Sequence, residues 1–193
     1  MSKMILAGAV VLTISAGPLF AQAPAAKSTH EGHAAMASDQ HFVMDVAKDG
    51  MAEVELAKMA QEKASSDQVK QFAQRMVTDH TKANDELKTL AQNKSITLPT
   101  VPDPKAKAFQ DRLSKMSGEQ FDHAYMQHML LDHQKAVSAF RVESKSGKDA
   151  DVKSWAAKTL PTLEEHLKLA QDTNKAVGTS GSTTAKPKAT KGR

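Results

Sequence analysis

Four segments, residues 39 to 64, 67 to 92, 118 to 145 and 149 to 176, carry apolar residues at three- and four-residue spacing, and no stretch of useful length alternates as a strand would. That pattern predicts an all-α chain. A shorter segment, 104 to 116, begins at Pro104 and ends at Ser117-Gly118. Stretches 22 to 38, 94 to 104 (KSITLPTVPDP) and 178 to 193 are rich in Pro, Ser, Thr, Gly, Lys or His and have the composition of linkers and tails. The simplest architecture is two helical hairpins joined by a long crossover that contains the short helix, the connectivity of a ferritin-like four-helix bundle. The expected bundle domain is 39 to 177, with a flexible linker over 22 to 38 and a disordered basic tail over 178 to 193. Asp67, a Ser117/Gln120 capping box and Asp149 are candidate helix starts, and Pro161 should kink the last helix.

The formal charge is +4, which Lys186, Lys188, Lys191 and Arg193 in the tail account for. The body is near neutral and has no basic face interleaved with aromatics, so nucleic acid is not an expected partner. Residues 1 to 21 combine Lys3, an apolar run from Met4 to Val11 and small residues near Ala21, the layout of a cleaved secretory signal peptide. The run is too short and too interrupted for an integral span, so the expected location is the periplasm or cell envelope. No cysteine is present, so oxidising surroundings are tolerated but not used for disulfides.

Within the helices, QRMVTDHTKA at 74 to 83 and QHMLLDHQKA at 127 to 136 share the pattern Q-x-M-x-x-D-H-x-K-A. At 100° per residue, Glu53 falls at the centre of the first apolar face and His80 in the middle of the second. His133 is central on the third and His166 on the fourth, while Asp79 lies at an edge. Buried polar groups need partners, so four inward groups imply that they satisfy one another or a shared ligand. Glu53 and His80 lie at matching heights below the turn near 66. His133 and His166, about 18 Å and about 25 Å from theirs at the helical rise, do not match unless the register shifts at Pro161.

Glu53, His80, His133 and His166 form a candidate site for a transition metal, Cu, Zn or Fe, with Met76 and Met129 one turn before two of the histidines softening it toward copper. The other reading is a polar network that fixes helix register, with the methionines as core filler and each imidazole bonded to Thr78, Thr159, Asp122 or water. In that case the chain is a structural or interaction protein, with an envelope protein as its partner. Residues 77, 130 and 163, three before each histidine, are Val, Leu and Leu, so the Glu-x-x-His motif of di-iron sites is absent and a redox enzyme is the weakest reading. No nucleophile motif or phosphate loop appears, and the expectation is a protein without enzymatic activity. The segment His30 to Met36 is a weak candidate for Cu or Zn after export.

The stretches GMAEVELAKMAQEKA (50 to 64), VKQFAQRMVTDHTKANDEL (69 to 87), FDHAYMQHMLLDHQKAVSAF (121 to 140) and LPTLEEHLKLAQ (160 to 171) carry a resemblance. From Phe42 to Ala170 the chain resembles the exported bacterial proteins grouped as domain of unknown function 4142, often labelled only as outer-membrane proteins. The resemblance implies a ferritin-like helical fold and an envelope setting, with an envelope or stress-related role and no defined activity. It matches the family's motif at Glu53, Asp79, His80, Asp132, His133, Pro161 and His166. The outer-membrane label fits poorly, since there are no amphipathic barrel strands.

Overall fold

The computed structural model describes residues 28–180, and side chains over residues 38–179. The expected signal peptide, residues 22–27 and most of the basic tail lie outside the described residues, as do the side chains of the His30 to Met36 segment. Five helices and no strand occur among the described residues: α1 (Ser28–Lys63), α2 (Asp67–Asn93), α3 (Pro104–Leu113), α4 (Gly118–Ser146) and α5 (Ala150–Ser180). The expected 22 to 38 linker is therefore partly helical. Its last residues include Glu31, Ala34, Ala35 and Met36, good helix formers that extend α1 toward the N-terminus. None of these helices is long and apolar enough to cross a membrane.

The most extensive contacts are α1 with α2 and α4 with α5; α2 also packs on α5 and α1 on α4. Each long helix thus has two long neighbours. Two carboxylates set the direction of the hairpins relative to one another. Asp122, near the start of α4, accepts from Ser65 N at 3.1 Å, Ser65 Oγ at 2.6 Å and Ser66 N at 2.8 Å in the α1–α2 turn. Asp39, near the start of the packed part of α1, accepts from Lys148 N at 2.8 Å and Asp149 N at 2.5 Å in the α4–α5 turn. The start of each hairpin therefore meets the turn of the other. Neighbouring helices run antiparallel, and α2 and α4, which carry the repeated motif, run the same way.

These contacts correct two expected caps. Ser66, not Asp67, is the N-cap of α2, and neither Ser66 nor Ser117 caps through its own side chain. Asp122 instead accepts the Ser65 and Ser66 amides just ahead of the first helical turn, so the entry to α2 is held across 56 residues of sequence or more. Asp149 does cap α5, accepting from Asp151 N and Val152 N. Asp103 caps α3, with Pro104 behind it where its missing N–H costs nothing. The last helix continues through Pro161.

The core is in two apolar parts. One contains Leu56, Ala60, Phe72, Met76, Tyr125 and Met129. The other contains Val43, Leu87, Val137, Phe140, Trp155 and Leu163, with Phe42 edge-on to Phe140 at 4.9 Å between ring centroids. On every long helix the residues of one part are separated from those of the other by an inward polar residue: Glu53, His80, His133 and His166.

Candidate metal centre

All four of these side chains are buried, and His133 and His166 are essentially inaccessible. The ring centroids of His80, His133 and His166 are 5.6, 5.2 and 5.4 Å apart in pairs. The height mismatch expected between His133 and His166 is thus closed. Helical side chains lean toward their own N-terminus, so in an antiparallel pair His133 leans away from the shared turn while His166 leans back toward it. The lean removes an offset of about one turn, roughly 5 Å.

Each imidazole has one nitrogen tied down. His80 Nδ1 is 2.9 Å from Glu53 Oε2. His133 Nδ1 donates to the Met129 carbonyl at 2.8 Å and lies 3.6 Å from Glu53 Oε1. His166 Nε2 donates to Asp79 Oδ2 at 2.9 Å. The other nitrogens, His80 Nε2, His133 Nε2 and His166 Nδ1, are buried and make no hydrogen bond among the described residues. Because a carbonyl can only accept, His133 carries its proton on Nδ1 and presents a bare Nε2 when neutral.

Thr78, Thr159 and Asp122, the expected partners in a self-satisfied network, do not serve: Thr78 bonds back to the Gln74 carbonyl and Asp122 holds the Ser65 turn. Asp79, at the edge of its helix, was not placed among the inward residues by periodicity. It reaches His166 across the α2–α5 contact and is held from outside by Arg75, which also pairs with Glu165. An acid one residue before a central histidine, facing a histidine on the adjacent helix, was the available signal.

The electrostatics distinguish the three rings. Burial opposes charge on Glu53, but His80 and His133 draw its pKa down to about 2. Burial also opposes the His80 imidazolium, and Glu53 outweighs it, holding the His80 pKa above its usual value. His166 goes the other way: burial, reinforced by His80 and His133, lowers its pKa to about 4 against the pull of Asp79. Asp79 is held below the usual carboxylate range, because Arg75 and His166 outweigh its partial burial.

One nitrogen from each of His80, His133 and His166 can be chosen so that all lie within 4.8 Å of one another. Nitrogens of a tetrahedral centre with bonds of roughly 2.0 Å stand about 3.3 Å apart, so an ion would draw the rings inward by about 1 Å. Glu53 is not one of the three; it sits on the Nδ1 side of His80 and His133. The arrangement has the form of imidazole ligands whose second nitrogens are fixed by carboxylates and a backbone carbonyl.

The sequence profile described as domain of unknown function DUF4142 matches residues 22–173. No curated protein matches the chain. The crystal structure of a secreted DUF305 protein from Streptomyces coelicolor is similar in fold, with a TM-score of 0.62 and 18% identity, covering 73% of this chain and 92% of that one.

Proposed function

The chain belongs to the DUF4142 family, and on that premise we propose that it is an exported helical-bundle protein that binds one transition-metal ion, Zn, Cu or Fe, through His80, His133 and His166. The observation that carries this reading is the pairing on each ring of one anchored nitrogen with one buried, unpartnered nitrogen. A polar layer serving only to fix register would leave three buried imidazole nitrogens with no protein partner among the described residues, and a buried polar atom left unpaired costs about 1–3 kcal/mol. Glu53 and Asp79 act as orienting groups that fix ring position and raise ligand basicity. Three imidazoles leave a fourth position open, as in zinc centres that exchange ligands rather than closed structural ones.

The connectivity, two antiparallel hairpins with a crossover through α3, is read as ferritin-like. Export rests on the signal-like residues 1 to 21, and the description of the Streptomyces protein as secreted agrees with it. The role is binding in the cell envelope rather than catalysis.

The test is the metal-to-protein ratio of tag-free residues 22–193 purified from the periplasm without chelator, beside a His80→Ala/His133→Ala variant checked for helicity. About one ion per chain, lost in the folded variant, is expected. Two metal-free proteins that also refuse added Zn(II), Cu(II) and Fe(II) would leave the histidines as core architecture.

A further inference from the structure

The histidine layer is not closed on all sides. A cavity of about 370 Å³ adjoins it, with His80, His166 and Glu53 at its buried end. Phe42, Phe140, Trp155 and Leu163 supply apolar walls. Asp45 and Asp49, both exposed, and the half-buried Asp132 stand at its outer end, where Ala106 of the crossover helix also lines it. His80 and His166 are two of the three core histidines with an unpartnered ring nitrogen, so the cavity reaches the groups that would hold the ion. His133 is not in its lining; it is backed instead by Phe72, with ring centroids 6.3 Å apart.

We propose that this cavity admits a small nitrogen-donor molecule, neutral or cationic, of the amine or imidazole class, which completes the coordination of the metal. The inference rests on the metal reading above and goes beyond it by assigning the fourth position and its selectivity. The volume lies within the range of small-molecule sites, about 300–1,000 Å³. Coordination has three protein donors, so an exchangeable fourth ligand is what a three-imidazole site accommodates.

Charge decides the class. The lining holds five carboxylates, Asp45, Asp49, Glu53, Asp79 and Asp132, against one cation, Lys135. Lys48 and Arg75 partner Asp45 and Asp79 from outside the cavity, and Lys135 partners Asp132. Glu53 is occupied by the histidines, which leaves Asp49 as the lining carboxylate without an ion pair among the described residues. A narrow low-dielectric cleft lined with one sign of charge focuses the field along it, so an anion meets repulsion before it reaches the ion. A neutral or cationic nitrogen donor does not, and the aromatic walls favour its carbon body or its charge.

The chain has a single tryptophan, Trp155, and it lines the cavity, so its fluorescence reports occupancy. The experiment loads residues 22–193 with one equivalent of Co(II), confirms the loading by metal analysis, and titrates imidazole and azide separately while following the visible cobalt bands and Trp155 emission. Imidazole is expected to shift both signals saturably, with azide requiring at least ten-fold higher concentration. Asp45→Asn/Asp49→Asn should narrow that gap several-fold. Ala136→Phe, which adds bulk to the cavity wall from α4 and replaces no histidine, should abolish the imidazole response while still loading cobalt. A loaded protein that responds to neither ligand, or binds azide as readily as imidazole, overturns the proposal and leaves the metal reading standing; so does an Ala136→Phe protein that responds as the parent does. A parent protein that takes up no cobalt overturns the metal reading, and this inference with it.

Discussion

Asp122 accepts the Ser65 hydroxyl at 2.6 Å across 57 residues of sequence, and with the Ser65 and Ser66 amides it ties the start of one hairpin to the turn of the other. Asp39 does the same at the opposite end. The two carboxylates hold the hairpins in longitudinal register, and register is what brings His80 and His133, on helices that run the same way, to one level. Asp122→Ala leaves backbone donors without a charged acceptor. The expected loss of stability is about 2–3 kcal/mol by urea denaturation, with Asp122→Asn milder. If register is what Asp122 supplies, metal affinity falls with stability in the same variant.

Glu53 separates an orienting role from a ligating one. Glu53→Gln keeps the shape and can still accept from one imidazole, but loses the charge shared by His80 and His133. Metal stoichiometry should stay at one per chain while affinity falls about 10- to 100-fold, the usual cost of removing a carboxylate behind a ligand histidine. Isothermal titration with Zn(II) reads both quantities. A loss of stoichiometry would make Glu53 a ligand instead.

How much of this was legible depends on the range of the interaction. Helical periodicity placed Glu53, His80, His133 and His166 inward, because a 100° step sorts residues by face without knowledge of neighbours. It could not distinguish Glu53, which touches the Nδ1 atoms, from the three rings that present free nitrogens, because both face the core. Heights taken along the helix axis misjudged His133 and His166, since Cβ direction shifts side chains in opposite senses on antiparallel helices. Asp39 and Asp122 act between hairpins, where nothing local in the sequence marks such pairs, and Asp79 reaches across a helix gap with only its place beside His80 to mark it. The linker boundary was misjudged for another reason: composition between 22 and 38 mixes Pro and Ser with good helix formers, and α1 already includes Ser28 onward.

The metal-free protein should lose stability in acid through His166. Its folded pKa, about 4, lies below the ordinary imidazole value of 6.5. Below pH 6.5 the unfolded chain takes up a proton that the folded ring refuses, so the stability contributed is fully present above pH 6.5 and is lost as pH falls toward 4. The full span corresponds to about 3 kcal/mol. His80 has the opposite sign, because its folded pKa is raised: its contribution is present below pH 6.5 and fades as pH rises through the folded value. Urea denaturation of chelated protein from pH 4 to 8 should therefore show a shallower acid limb in His166→Gln, whereas a limb of unchanged slope would place the acid sensitivity elsewhere.

Asp49 should behave as a destabilising residue kept at the mouth of the cavity. Burial, then the carboxylates of Glu53, Asp132, Asp45 and Asp103, raise its pKa from 3.8 to about 6. At neutral pH the folded state therefore carries a charge it resists. The penalty disappears as pH falls from 6 to below 3.8, where both states are protonated. Asp49 is exposed on its outer side, so solvent screening reduces the full value of the shift, and Asp49→Asn should gain about 1 kcal/mol at pH 7. The gain should shrink to nothing near pH 4 in denaturation curves of the metal-free protein. A gain that persists in acid would come from altered packing instead. Removing a charge that destabilises the fold while weakening discrimination against anions would place Asp49 among residues whose local cost is tied to a binding role.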